Sequence, residues 1–99
     1  MIIPSSFTLA GNRWKVRFVP KKELILDGAF VWGLCVPETQ TILLYKRLLK
    51  ARQQQIFIHE AAHAVLFTMG HMEHDEVMIE AIAQLVYQLI TTGESDDTT

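Results

Sequence analysis

No glycine or proline interrupts the chain between Lys46 and Met69, and an apolar run inside that stretch carries the segment His59-Glu60-Ala61-Ala62-His63. The composition from Lys46 onward is rich in Leu, Lys, Arg, Gln and Ala, all good helix formers, so one long helix is expected. It should begin between Lys46 and Gln53, run to about Met69 and stop at Gly70. At about 100° per residue, positions i and i+4 of a helix stack on one face, so His59 and His63 can reach a single metal ion. Flanked by Ile56-Phe57-Ile58 and Ala64-Val65-Leu66-Phe67, two histidines and a carboxylate without a ligand would be costly buried polar groups. Zn2+ is the expected cofactor. Glu60 then lies next to the ion's open position as the catalytic general base, able to take a proton from a water whose pKa zinc lowers towards ~7.

A metal also suits a chain this short. With 99 residues there is room for one domain, residues 1–99, and a chain of that size buries only about 60 to 65% of its unfolded surface. Its 49% hydrophobic and 20% charged residues exclude a disordered or fibrous protein. The single Cys35, between Leu34 and Val36, reads as a buried small hydrophobe rather than a nucleophile. Residues 1–11 lack a basic segment and are broken by Pro4, which argues against a signal peptide, and no apolar run reaches the ~20 residues of a membrane span. A cytoplasmic protein without a membrane partner is the expectation. Residues 1–55 hold all nine Lys and Arg against three acids, whereas residues 56–99 hold eight acids and no Lys or Arg. The basic residues are scattered rather than grouped with aromatic platforms, so the asymmetry reads as two faces of one fold and not as a nucleic-acid surface.

The segments before the helix read as strands. Phe7 to Ala10 and Trp14 to Val19 flank Gly11-Asn12-Arg13 as a hairpin, with Trp14, Val16 and Phe18 expected inside and Lys15 and Arg17 outside. Leu24 to Leu26 precedes an Asp27-Gly28 turn, and Ala29 to Val36 pairs with Thr41 to Tyr45 across Pro37-Glu38-Thr39-Gln40 as a further hairpin. Downstream, Asp75 is a plausible N-cap for a second helix to Thr92, with Met78, Ile82, Leu85 and Leu89 as its core stripe, Gly93 as its stop and residues 93–99 as a frayed tail. The expected fold is α+β, a small mainly antiparallel sheet packed on the histidine helix and the second helix.

Zinc needs a third protein ligand if one position is to stay open. Glu80, His71, His74 and Asp75 all follow the histidines, and Glu80 alone lies within an expected helix. It shares a face with Glu76, Gln84 and Tyr87, opposite the apolar stripe. A metzincin is excluded, because Leu66 and Met69 stand where its glycine and third histidine should be.

The run Gly33 to Ile42, the HEAAHAV segment and Glu80 to Tyr87 together resemble a family of small phage and prophage HExxH proteins, related to the ImmA/IrrE-type metallopeptidases and more broadly to gluzincins. The resemblance covers roughly residues 14–92. It implies a zinc peptidase in which Glu80 is the third ligand and Ala29 to Val36 forms an edge strand beside the cleft, where a peptide or protein substrate adds as another strand. Tyr87, two turns beyond Glu80, is a further candidate for stabilising the oxyanion, against a simpler place in the cleft wall. The matching sequence steps from Gly70 forward to Glu80 and back to Glu60 fit an αα-hairpin, whereas His71 and His74 fall in its turn, about 10 Å beyond His63 on a ~1.5 Å rise. The competing expectation is a phage-encoded interaction module in which zinc only holds two helices together.

Overall fold

The computed structural model describes residues 1–94. β1 (Ser6–Leu9) and β2 (Asn12–Val19) form an antiparallel hairpin, turned by Ala10 and Gly11 at φ of 48° and 81°, as a two-residue hairpin turn requires. A 3₁₀ turn at Lys21–Glu23 leads into a small hairpin of β3 (Ile25–Leu26) and β4 (Ala29–Phe30), with Asp27 and Gly28 in the same left-handed conformation. β5 (Gly33–Val36) and β6 (Thr41–Tyr45) make the third hairpin. β6 also lies parallel to β2, which gives a four-stranded sheet in the order β1-β2-β6-β5 with β5 at its edge. The class is α+β, with a mostly antiparallel sheet and two helices.

The stretch Ala29 to Val36 is two strands, not one. Between them the chain passes from one hairpin to the other: Val31 N–H donates to the Leu24 carbonyl and Tyr45 N–H to the Trp32 carbonyl, while the Phe30 ring meets Tyr45 edge-on at 5.1 Å.

α1 spans Lys50–Thr68 and α2 spans Glu76–Thr92. Gly70, at φ 91°, bends the chain left-handed after α1, and the His71 N–H reaches back to the Leu66 carbonyl at 2.9 Å. Asp75 caps α2, its Oδ1 accepting from the Val77 and Met78 N–H groups at 3.0 and 3.3 Å. No helix among the described residues is long and apolar enough to cross a membrane. Most of the tail expected to fray, residues 95–99, lies outside the described residues.

The core joins Trp14, Val16, Ile42 and Leu44 of the sheet to Phe57, Ile58 and Ala64 of α1 and Ala83 of α2. Phe7 stacks on Trp14 and meets Phe57 edge-on, tying the first hairpin to α1.

Two expectations about burial are corrected. Phe18 continues the alternation of Trp14 and Val16 but is 47% exposed, and Val19 is buried in its place. Val19 lies on the other side of the sheet beside its register partner Tyr45, whose ring meets Phe30 of the β3-β4 hairpin. On α2 the stripe of Met78, Ile82, Leu85 and Leu89 is exposed, and Ile79 and Ala83 are the buried residues. The inward face is set by Glu76 and Glu80, whose carboxylates meet the α1 histidines, and Ala83 is small enough to let the helices close. Periodicity locates an apolar face; it does not say what covers it.

Ile42→Ala should therefore cost about 2–5 kcal/mol in denaturant unfolding, the loss expected at a fully buried site. Phe18→Ala should cost less than about 1 kcal/mol, and an equal loss at the two positions would contradict this assignment of faces.

Candidate metal centre

His59, Glu60 and His63 lie in the middle of α1, where the i and i+4 spacing brings the two imidazoles to 5.2 Å between ring centroids. Both are largely covered, at 20% and 12% side-chain exposure. Each ring is held from behind by a hydrogen bond at Nδ1.

Behind His59 stands Glu80, with Oε2 2.7 Å from Nδ1, and the Glu80 carboxylate is itself fixed by the Gln84 side chain donating to Oε1 at 3.0 Å. A carboxylate can only accept, so His59 carries its proton on Nδ1. Behind His63 stands His74, with the two Nδ1 atoms 2.6 Å apart, and His74 Nε2 lies 2.7 Å from the His71 carbonyl. The carbonyl obliges His74 to donate from Nε2. In neutral His74 the Nδ1 is then an acceptor, and the proton in the short contact belongs to His63 Nδ1. In their neutral forms both histidines of α1 then present the lone pair of Nε2.

Those two lone pairs point at one carboxylate. Glu76 Oε2 is 3.6 Å from His59 Nε2, and Glu76 Oε1 is 3.3 Å from His63 Nε2. With both imidazoles neutral, lone pairs and a carboxylate that converge in this way repel unless a cation, a proton or a metal ion, sits among them. His59, His63 and Glu76 could hold a metal ion, their donor atoms lying within 4.8 Å of one another. Burial lowers the His63 pKa, with His59 and His74 adding to the effect and Glu76 opposing it, so its neutral, ligand-competent form is favoured.

Glu60 enters the same cleft as the two histidines, on the side next to β5. The approach is so close that a Cβ on Gly33 would collide with the Ile56 Cγ2 and stand 3.2 Å from Glu60 Cγ, so only glycine fits there. Burial raises the Glu60 pKa to about 7, where a carboxylate can both take and give a proton near neutrality; His59 opposes the rise, Glu76 adds to it and the Cys35 backbone N–H opposes it. Burial also pushes the Cys35 thiol up to about 12, with Glu60 and Glu38 adding to it, which leaves it a poor nucleophile.

The centre opens into a cleft of about 740 Å³, walled by Trp32 to Cys35 on the β5 side and by His59, Glu60, His63 and Glu76 on the helix side. A second groove of about 450 Å³, between α1 and α2, shares His59 and Glu80 with it. Tyr87 lines that second groove, its hydroxyl donating to Gln54 Oε1 at 3.3 Å, and does not line the cleft that contains Glu60.

Of the residues expected from sequence, His59, Glu60, His63 and Glu80 come together. Glu80, expected as the third ligand, meets the rear nitrogen of His59, and the carboxylate facing both Nε2 atoms is Glu76, one helical turn earlier. His74 was expected to be out of reach at the end of α1, but the left-handed turn at Gly70 folds the loop back so that its ring stacks on His63 at 4.9 Å and packs on Phe67 at 4.4 Å. The signal for Glu76 was its i, i+4 spacing to Glu80, which mirrors that of the histidines. No family model, curated protein or solved structure matches the chain.

Gly33→Ala should destabilise the fold by about 1–3 kcal/mol, the usual cost of overpacking. Gly28→Ala, where a Cβ meets nothing but φ is 80°, should cost about 1 kcal/mol through backbone strain alone. Thermal unfolding of the two variants tests this, and a neutral Gly33→Ala would contradict the close approach of β5 to Glu60.

Proposed function

We propose that the chain is a zinc-dependent metallopeptidase of minimal gluzincin type, with His59, His63 and Glu76 as metal ligands, Glu80 and His74 as residues positioning the two histidines, and Glu60 as the general base. The observation that carries this reading is the pair of hydrogen bonds behind the rings, which turns both Nε2 atoms towards Glu76. Bonds of about 2.0–2.1 Å from a tetrahedral ion would set its donors about 3.3 Å apart, close to the 3.3 and 3.6 Å separations of this group. The contacts of Glu80 and His74, at 2.7 and 2.6 Å, are too short to span an ion and have the lengths of hydrogen bonds. Nitrogen and carboxylate oxygen are donors that suit zinc.

Bound there, zinc supplies Lewis-acid polarisation of a carbonyl and lowers the pKa of a water. Glu60 accepts the proton that water loses as its oxygen bonds to the peptide carbonyl carbon, and returns it to the amine nitrogen as the C–N bond breaks. Burial of Glu60 keeps that proton from leaking to solvent. The edge of β5, which forms one wall of the cleft, gives an extended peptide or protein substrate backbone groups to pair with as an added strand. Tyr87 has no part in this scheme.

Purified protein should hold about one zinc per chain and lose thermal stability on chelation. Glu60→Gln should keep the zinc and lower peptide hydrolysis by more than about a hundredfold, measured as kcat on a peptide library. Glu60→Gln protein that cannot hold zinc would make Glu60 a ligand. A zinc-loaded wild type that cuts no peptide would leave the competing reading, a structural ion in an interaction module.

A further inference from the structure

Arg52 stands on the face of α1 that carries His59, just under two helical turns before it, about 10 Å along the axis at ~1.5 Å per residue. Its guanidinium lies over the Trp32 ring at 5.3 Å, and Trp32, next to Gly33 at the start of β5, lines the metal cleft. A guanidinium stacked by its face keeps its N–H donors available in its own plane. Among the described residues no ion pair takes up its charge.

The groove between α1 and α2 meets the metal cleft beside this residue. Arg52, Gln55 and Gln88 line the groove, while Ile56, His59 and Glu80 line both recesses and make them continuous. Neighbouring glutamines are engaged, Gln53 and Gln54 with backbone carbonyls and Gln84 with Glu80, whereas the amides of Gln55 and Gln88 have no partner among the described residues. Neither recess is lined by any other Lys or Arg, and Glu60, Glu76 and Glu80 are the acids in them. Arg52 is thus the one side chain there with a permanent positive charge to set against an anion.

We infer that Arg52, with the Gln55 and Gln88 amides beside it, is a subsite for a carboxylate of the substrate, which it can pair through two parallel N–H bonds. The inference rests on the peptidase reading above. An extended chain rises ~3.3 Å per residue, so a peptide laid along β5 carries the bound carboxylate about three residues from the bond that is cut. Two groups of a peptide have this chemistry, an acidic side chain and the terminal carboxylate.

The test gives the zinc-loaded chain short acetylated peptides that differ only in one glutamate or glutamine, moved along the sequence, and in a free or amidated carboxy terminus. A carboxylate about three residues from the cleaved bond should raise kcat/KM about tenfold or more over its amide, mainly through KM. Arg52→Gln, a change at an exposed position, should remove that preference and leave cleavage of the all-amide peptide within about twofold. Arg52→Lys keeps the charge without the planar fork and should retain part of it. Preference for glutamate assigns an acidic side chain to the subsite; preference for the free terminus alone assigns the terminal carboxylate. Binding of the same peptides, measured by calorimetry and by the Arg52 Nε–H resonance, is read without hydrolysis and should favour the carboxylate about tenfold. Equal affinity for carboxylate and amide peptides, or a preference that survives Arg52→Gln, overturns the subsite. A carboxylate preference in binding without any cleavage supports the subsite and counts against the peptidase reading alone.

Discussion

Two imidazole lone pairs and a carboxylate meet between α1 and α2, and each imidazole is turned there by a hydrogen-bond partner on the far side of its ring. Most of the other features around the helices follow from that convergence. The inward face of α2 has to carry Glu76 and Glu80, so the residues left to pack against the core are Ile79 and Ala83, one of them small. The loop after Gly70 has to return, because His74 supplies the support behind His63. The sheet has to come close to α1 beside Glu60, and Gly33 is the residue that permits it. A polar centre in so small a core is expensive unless its charges are satisfied, which is why the geometry points to a cation.

The two faces of α2 divide the labour. The face towards α1 carries Glu76 and Glu80 and buries Ile79 and Ala83, while the face towards solvent carries Met78, Ile82, Leu85 and Leu89.

Local signals were legible in the sequence. The turn at Asp27-Gly28, the stop at Gly70 and the cap at Asp75 each depend on one or two residues and their own backbone angles, and the structure has them, while the turn expected at Gly11-Asn12-Arg13 falls at Ala10-Gly11 with Asn12 and Arg13 already in β2. The spacing of His59 and His63 needs only a helix. What could not be read depends on distant neighbours. Phe18 is half exposed and Val19 on the opposite face is buried, beside Tyr45 and the β3-β4 hairpin that meets it, a contact between segments distant from the alternation itself. The apolar stripe of α2 was visible, but its direction was decided by two carboxylates that periodicity treats as surface residues. Glu80 was the expected ligand and Glu76 was read only as its neighbour on the same helix face; the two differ in which nitrogen of His59 each one meets and in that Glu76 also faces His63.

That last distinction allows the most direct test. Nitrogen-15 chemical shifts of the histidine rings, followed as zinc is added, report which nitrogen binds and which keeps its proton. The account predicts that His59 and His63 both coordinate through Nε2 and both retain a proton on Nδ1 in the loaded protein. Coordination through Nδ1 of either residue, or histidine spectra that do not respond to zinc, would contradict it.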